Sequence, residues 1–357
     1  MTVERPLSSP PAARSILVIR LSALGDVVRT RFALPGLRAL YPDARIDWLV
    51  EDRAAPGLEG IPGLADVVHV PRTRLSVRDP LRGLVRLRAL VRDLRARRYD
   101  MVIDFHSILK SAALARFTGA PLRIGYAAPF AREGSSRLYT HAVRVEPTHL
   151  SRFERNAALI RYLGGEVPPG PPPLELEEEI PPELAAVPAG LAVMHPGTSE
   201  STRYKRWSPE GYAEVARELR QSLGLESLVT WGPVAAERSA AERVVAQADG
   251  AARLSPPTRG IPDLLALLRR GRLFIGSDSG PMHLASLAGL PVVALFGPTD
   301  PLENEPFPGL PCRVVRVDVG CNPCREGCPV LTCMAAIEAP QVVEAVRSLV
   351  ATGSGVA

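Results

Sequence analysis

The regular pattern begins at Ser15–Leu21 (SILVIRL), a short apolar run of the kind expected of a strand buried on both faces. Ser22–Gly25 reads as a loop, and Asp26 to Leu40 as a helix. Ala44–Glu51, Val67–Val70 and Met101–Phe105 are further strand-like runs, separated by helical patterns that include Leu81–Arg98 and Ser107–Arg116. From Gly164 to Gly190 prolines are too dense for regular structure over most of the length, which predicts a semi-rigid linker. The alternation then restarts. Strands are predicted at Leu191–His195, Ser227–Trp231, Arg272–Gly276 and Pro291–Phe296. Helices are predicted at Pro209–Leu223, Glu237–Ala246, Ile261–Arg269, Pro281–Ala288 and Gln341–Val350.

Strands alternating with helices at this spacing imply βαβ units and parallel sheets, hence an α/β protein. The expected organisation is a disordered tail over 1–14, a Rossmann-like domain over 15–170, a Pro-rich linker over 171–190, a second Rossmann-like domain over 191–340, and a closing helix and tail over 341–357. Two such halves predict a ligand in an interdomain cleft, at the carboxyl ends of the strands. No G-x-G-x-x-G follows the first strand and no G-x-x-x-x-G-K-[ST] occurs, which disfavours a dinucleotide dehydrogenase and a P-loop NTPase.

Composition narrows the class. At 46% hydrophobic and 23% charged residues the profile is that of a soluble globular chain, and its 357 residues suit two domains. No apolar run reaches the roughly 18–20 residues that cross a bilayer. Met1–Arg14 lacks the apolar centre of a signal peptide, so a cytoplasmic location is expected. The net charge of +5 favours anionic partners. Lys110 and Lys205 are the two lysines, every other basic side chain being arginine, so each lysine merits individual inspection. Ten arginines fall between Arg72 and Arg98 against Asp79 and Asp93; they form either a solvated helix face or part of a site for an acidic acceptor. Four of the five cysteines crowd into Cys321-x2-Cys324-x3-Cys328-x4-Cys333, compatible with free thiols, a zinc site or a disulfide.

Several junctions carry candidate chemistry. Gly25 turns the chain tightly after the first strand and delivers Asp26 to the start of a helix, where it acts either as a helix cap or as a general base. His195-Pro196-Gly197-Thr198-Ser199 ends the first strand after the linker, and Lys205-Arg206 follows before a helix; hydroxyls, backbone N–H groups and two cations suit a diphosphate, although a solvated basic turn has the same composition. Gly276-Ser277-Asp278-Ser279-Gly280-Pro281-Met282-His283 is a strand-to-helix junction with the geometry of an anion site, in which Asp278 is alternatively an N-cap and His283 a buried hydrogen-bonded residue. Gly297-Pro298-Thr299-Asp300 follows the next strand at the same sheet edge. Asp104-Phe105-His106-Ser107 ends a strand of the first half, with Lys110 one turn further on and Arg132 beyond.

Taken together, ILVIRLSALGDVV, YDMVIDFHSILKSAALAR, HPGTS with KRWSPEGYAEVA, FIGSDSGPMHLASLAGLPVVALFGPTDP and the terminal CNPCREGCP resemble the glycosyltransferase family 9 pattern, that of ADP-heptose:lipopolysaccharide heptosyltransferases, from about Ser15 to Val350. The resemblance implies a GT-B fold, an ADP-heptose donor, a Kdo-bearing inner-core lipopolysaccharide acceptor, and inverting transfer without a metal or other cofactor. It implies Asp26 as the catalytic residue. Thr198, Ser199, Lys205, Glu237, Asp278, Ser279, Gly280 and His283 would be donor-binding, and Lys110 and Arg132 acceptor-binding. The implied partners are an ADP-sugar and an anionic glycolipid of the lipid A–Kdo type, with no nucleic acid and with peripheral contact at the cytoplasmic face of the inner membrane. Ser279 stands where threonine is commoner in the family, which keeps the hydroxyl.

Overall fold

The computed structural model describes residues 2–3, 6–70, 80–176, 180–324, 328 and 330–353. The arginines at 72, 74 and 78 lie outside the described residues, and of the linker so do residues 177–179. The chain divides into two compact units, Met1–Glu175 and Leu176–Ala357, so the division falls inside the predicted linker.

The first unit contains β1 (Thr2–Val3), β2 (Ser15–Ile19), β3 (Arg45–Glu51), β4 (Asp66–Val70), β5 (Met101–Asp104), β6 (Leu122–Tyr126), β7 (His141–Val143) and β8 (Val145–Glu146). Its helices are α1 (Leu24–Thr30), α2 (Leu34–Leu40), α3 (Pro80–Ala96), α4 (Leu109–Phe117) and α5 (Arg152–Tyr162). Six strands form a parallel sheet in the order β4-β3-β2-β5-β6-β7. Strand β2 is continuously apolar because both its faces are covered. Ile16 and Val18 join one cluster with Val27, Leu37 and Leu159, whereas Leu17 and Ile19 join another with Leu90, Leu94 and Leu114.

The second unit repeats the plan. Its strands are β9 (Ala192–His195), β10 (Ser227–Val229), β11 (Ala252–Leu254), β12 (Leu273–Ser277), β13 (Val292–Leu295) and β14 (Cys312–Val315). They too run parallel, in the order β11-β10-β9-β12-β13-β14. The helices are α6 (Pro182–Ala185), α7 (Pro209–Leu223), α8 (Ala235–Gln247), α9 (Ile261–Arg269), α10 (Gly280–Leu287), α11 (Thr332–Ala335) and α12 (Ala339–Gly353). In each sheet the order reverses beside the unit's first strand of that sheet, between β2 and β5 and between β9 and β12. Open α/β sheets bind ligands outside the carboxyl ends of strands at such a reversal, so each unit has one predefined place for chemistry.

Several expectations are corrected. The tail over 1–14 is not wholly disordered: Thr2–Val3 pairs antiparallel with Val145–Glu146, and the Leu7 amide donates to the Tyr162 carbonyl at 2.9 Å, which satisfies backbone groups that would otherwise need water. The helix expected over Asp26–Leu40 starts earlier and is interrupted by a 3-10 turn at Arg31–Ala33. The segment expected to be an irregular linker holds the short helix α6, whose Leu184 packs with Val187, Leu191, Leu228 and Leu267. Strands β6, β7, β11 and β14 and helix α5 add to the predicted elements.

Candidate functional site

In the first unit the loop after β2 and the loop after β5 meet at the reversal. The N-cap of α1 is Ala23, without a side-chain capping bond, so Asp26 sits in the first helical turn and does not cap the helix. Its carboxylate is instead gripped by arginines. Arg20 Nη2 lies 2.5 Å from Oδ2, Arg152 Nη1 lies 2.6 Å from Oδ1, and Arg29 also bonds Oδ1. Arg152 comes from α5, whereas Arg20 and Arg29 flank the turn. Burial alone would raise the Asp26 pKa, but Arg20, Arg29, Arg152 and Arg155 together hold it well below the usual carboxylate range. Of the roughly four acceptor positions on a carboxylate, these three guanidiniums take two on Oδ1 and one on Oδ2. The side chain remains 17% exposed.

His106 sits beside this cluster. Burial, with Arg20, Lys110 and Arg132 nearby, pushes its pKa down to about 3 against the opposing pull of Asp26, so the ring is neutral. The loop that carries it is fixed by Asp104, a fully buried carboxylate that accepts from the His106 and Ser107 amides at 2.8 and 3.0 Å and from the Tyr139 hydroxyl at 2.7 Å. Lys110 pairs with Glu51 at 2.7 Å, and the Arg132 amide donates to the Ser107 carbonyl at 3.0 Å. The structure therefore brings Asp26, Lys110 and Arg132 to one rim around His106. The arginines of α3 divide: Arg97 is engaged by Asp47, Asp66 and Asp93, Arg95 donates to the Phe117 carbonyl at 3.0 Å, and Arg86, Arg88 and Arg92 stay exposed without an ion pair among the described residues.

In the second unit the loops after β9 and β12 meet in the same way. Asp278 is 5% exposed; it does not cap α10, whose N-cap is Ser279, and pairs with Lys205 Nζ at 2.7 Å. His283 Nε2 lies 3.8 Å from the other Asp278 oxygen. No side-chain cap serves the first amides of α10, and the hydroxyls of Ser279 and of Thr299 on the adjacent loop are buried without a hydrogen-bond partner among the described residues. Native interiors rarely leave such groups unsatisfied, so two orphan hydroxyls next to a helix N-terminus and a lysine fit an anion that completes the set. Gly280 begins that helix and adds no bulk to its mouth.

Thr198 is buried and donates to the Thr202 carbonyl at 3.0 Å, while Arg206 clamps its carbonyl at 2.7 Å. Ser199 is exposed and its hydroxyl bonds Thr202 at 2.8 Å. Glu237, at the start of α8, lies between the loops after β9 and β10. A Cβ on Gly197 would stand 2.9 Å from its Cγ, and one on Gly232 would overlap its carboxylate, so both glycines exist to admit this side chain. Burial raises the Glu237 pKa, partly offset by a Gly232 backbone hydrogen bond and by Arg206. His195 is buried with its pKa pushed down to about 4, its Nδ1 3.0 Å from Thr230 Oγ1, which makes it a structural residue.

All eight residues expected to bind a donor thus lie in one unit, around its reversal point, and the three expected for catalysis and the acceptor lie in the other. Sequence reasoning missed the arginine clamp on Asp26. Arg20 and Arg29 carried a signal, being basic residues that flank a turn, but Arg152 is 126 positions away and had none. All five cysteines are free thiols, so the disulfide alternative is not realised, and among the described residues no three His, Cys, Asp or Glu side chains are placed to hold a metal ion.

A family model described as glycosyltransferase family 9 (heptosyltransferase) matches residues 87–334. Lipopolysaccharide heptosyltransferase 1 of Pseudomonas aeruginosa is 32% identical over 292 residues, 80% of this chain and 79% of the relative. Among solved structures, the family 9 glycosyl transferase of Veillonella parvula superposes with a TM-score of 0.78 at 22% identity, covering 95% of this chain and 97% of the other. Heptosyltransferase WaaC of E. coli, solved with ADP, gives 0.74 at 22% identity, covering 94% and 99%. These structural likenesses are of fold, an α/β chain of two Rossmann-like units of the GT-B type.

Proposed function

The chain belongs to glycosyltransferase family 9, the heptosyltransferase family, and from that premise we propose that it moves a heptose from ADP-heptose to the inner core of lipopolysaccharide, with Asp26 as the base and the β9–β12 rim as the donor site. The observation that carries this reading is Asp26 itself: a carboxylate at the reversal point of its sheet, kept ionised by the surrounding guanidiniums and still 17% exposed.

The low basicity of Asp26 suits the reaction. As the acceptor oxygen bonds to the anomeric carbon, its proton becomes strongly acidic, so a weak base suffices when proton transfer is late. The hydroxyl oxygen attacks from the face opposite the diphosphate, the C–O bond to ADP breaks, and the proton passes to Oδ2. Configuration at the anomeric carbon inverts. Lys205, the Ser279 and Thr299 hydroxyls and the amides of α10 are suited to the charge that grows on the departing ADP, being dipoles and a cation already in place before the reaction. With a diphosphate bound, Lys205 would share its charge between Asp278 and the phosphate. Glu237 is suited to a ribose hydroxyl. The rim of Arg20, Lys110 and Arg132 suits an acceptor bearing carboxylates or phosphates, the chemistry of a Kdo-bearing core. Thr198 and Ser199 support the donor loop and His283 orients Asp278.

Incubation with ADP-heptose and a Kdo-bearing lipid A acceptor should add one heptose to the acceptor and release ADP. Calorimetry should show ADP binding more tightly than UDP or GDP. Release of ADP without acceptor modification, or equal binding of the three nucleotides, would argue for a different reaction or donor.

A further inference from the structure

Helix α3 ends as an ordinary surface helix and begins as something else. From Leu90 onward it is anchored, with Leu90 and Leu94 buried in the core beside β2 and β4. The six residues before that, 84 to 89, are all exposed. They include Leu84, Val85 and Leu87 at 42%, 64% and 40% exposure, an apolar set that the fold leaves in water. Arg86, Arg88 and Arg92 are interleaved with them and Arg95 lies one turn on. The single acid between residues 84 and 98 is Asp93, already paired with Arg97. Beside this face Phe117, 42% exposed at the end of α4, closes a groove of about 440 Å³ with Leu87, Arg88, Val91, Arg92 and Arg95.

Connectivity gives this face a direction. Because β4 and β5 belong to one parallel sheet, α3 must run back against the strands between them. Its first turns therefore rise at the carboxyl edge of the sheet, the edge that carries Asp26 and the His106 rim. Arginines without an ion pair among the described residues, set among exposed leucine and valine, are unlike a solvated charged face, which has no use for the apolar members. They are equally unlike a nucleic-acid footprint, which has no use for aliphatic side chains. Both components fit one partner, a bilayer whose surface is anionic and whose interior accepts short apolar side chains.

We propose that the exposed face of the first turns of α3, residues 84 to 92, docks the first unit on an anionic lipid surface. The face is argued from its own chemistry; only the benefit, holding the Asp26 rim at the surface where a glycolipid acceptor is embedded, rests on the function proposed above. The apolar side chains enter the headgroup boundary while the guanidiniums pair with lipid phosphates.

Co-sedimentation of the whole chain with vesicles that contain no acceptor tests the docking apart from the reaction. Binding should be strong to phosphatidylcholine vesicles containing phosphatidylglycerol and weak to phosphatidylcholine alone. It should fall steeply at about 1 M salt, where screening is complete within about 3 Å. Replacing Arg86, Arg88 and Arg92 together by alanine should lower the partition coefficient about a hundredfold, since each basic residue near such a surface contributes about fivefold. A second variant, L84S with V85S, should lower it about tenfold through lost apolar insertion. That second variant should transfer heptose to a deacylated, water-soluble acceptor at the wild-type rate. Equal binding to neutral and anionic vesicles, or unchanged binding of both variants, would overturn the proposal. So would a concentration-dependent dimer in sedimentation velocity that L84S with V85S abolishes, because a second copy would then cover the face. If transfer to the soluble acceptor is absent even in the wild type while the vesicle results hold, the proposed reaction fails and the docking stands.

Discussion

Replacing Asp26 by asparagine separates two consequences of one carboxylate. In the folded chain Arg20 and Arg152 lie 2.5 and 2.6 Å from its oxygens, Arg29 bonds it too, and its side chain is only 17% exposed. An asparagine keeps the shape and one accepting oxygen but removes the charge, taking this counterion from the guanidiniums. Removing one partner of a buried ion pair costs about 3–5 kcal/mol; with the amide oxygen still accepting, about 3 kcal/mol is expected. For a unit of this size that corresponds to a fall in melting temperature of about 6–12 °C. The pH dependence has a definite sign. Because the folded pKa of Asp26 is depressed, its stabilisation is present above the unfolded carboxylate pKa of about 4 and is lost as pH falls through the folded value. The difference in melting temperature should therefore be full at pH 7 and shrink below about pH 4. For catalysis, loss of the base should lower kcat by at least about a hundredfold, equivalent to about 2.7 kcal/mol in the barrier. Assays run well below the melting temperature, with the folded fraction counted by ADP calorimetry, separate the two effects, since the proposed donor residues belong to the other unit. A folded D26N protein that turns over at the wild-type rate would refute the role of Asp26 as base, and an unchanged melting temperature would refute the claim that its charge balances the arginine cluster.

Three further outcomes follow from the geometry. Lys205→Met should weaken ADP binding by at least tenfold and also destabilise the second unit, because it removes the lysine that pairs with the 5%-exposed Asp278; K205M combined with D278N should recover stability but not ADP affinity, read by calorimetry and thermal melting. Gly232→Ala should lower ADP affinity without altering any side chain proposed to touch the donor, because its Cβ displaces the Glu237 carboxylate; E237Q, by contrast, should be at least as stable as wild type at pH 7, since burial penalises the ionised form above its raised pKa. Finally, the His106 ring protons should show no titration shift by NMR between pH 5 and 8, its pKa being about 3, and a midpoint within that interval would contradict the burial and the cation cluster assigned to it.

The sequence alone determined the elements that are buried on both sides. Strands β2, β9, β12 and β13 are mostly apolar, and β3 and β5 carry apolar cores (WLV and MVI), because parallel strands between two helical layers have no solvent face, and that signal survives without knowledge of the fold. It also located the turns that carry Asp26, Thr198 and Asp278, since small and polar residues after a buried strand mark a carboxyl end. Two edge strands were not legible: ARL at β11 and CRVV at β14 mix charges with a few apolar residues, because one side of an edge strand faces water or a loop; LRIGY at β6, one strand in from the edge, was missed because Arg123 and Gly125 interrupt its apolar run. The state of the site was decided only by tertiary structure. Which strands adjoin, and hence that β2 meets β5 and β9 meets β12, is a matter of pairing across the chain. The clamp on Asp26 needs Arg152 brought from another helix, and the pairing of Lys205 with Asp278 spans 73 positions. A residue's type and spacing say what chemistry it can do; its charge state depends on neighbours that only folding supplies, because electrostatic interaction follows distance in space and not along the chain.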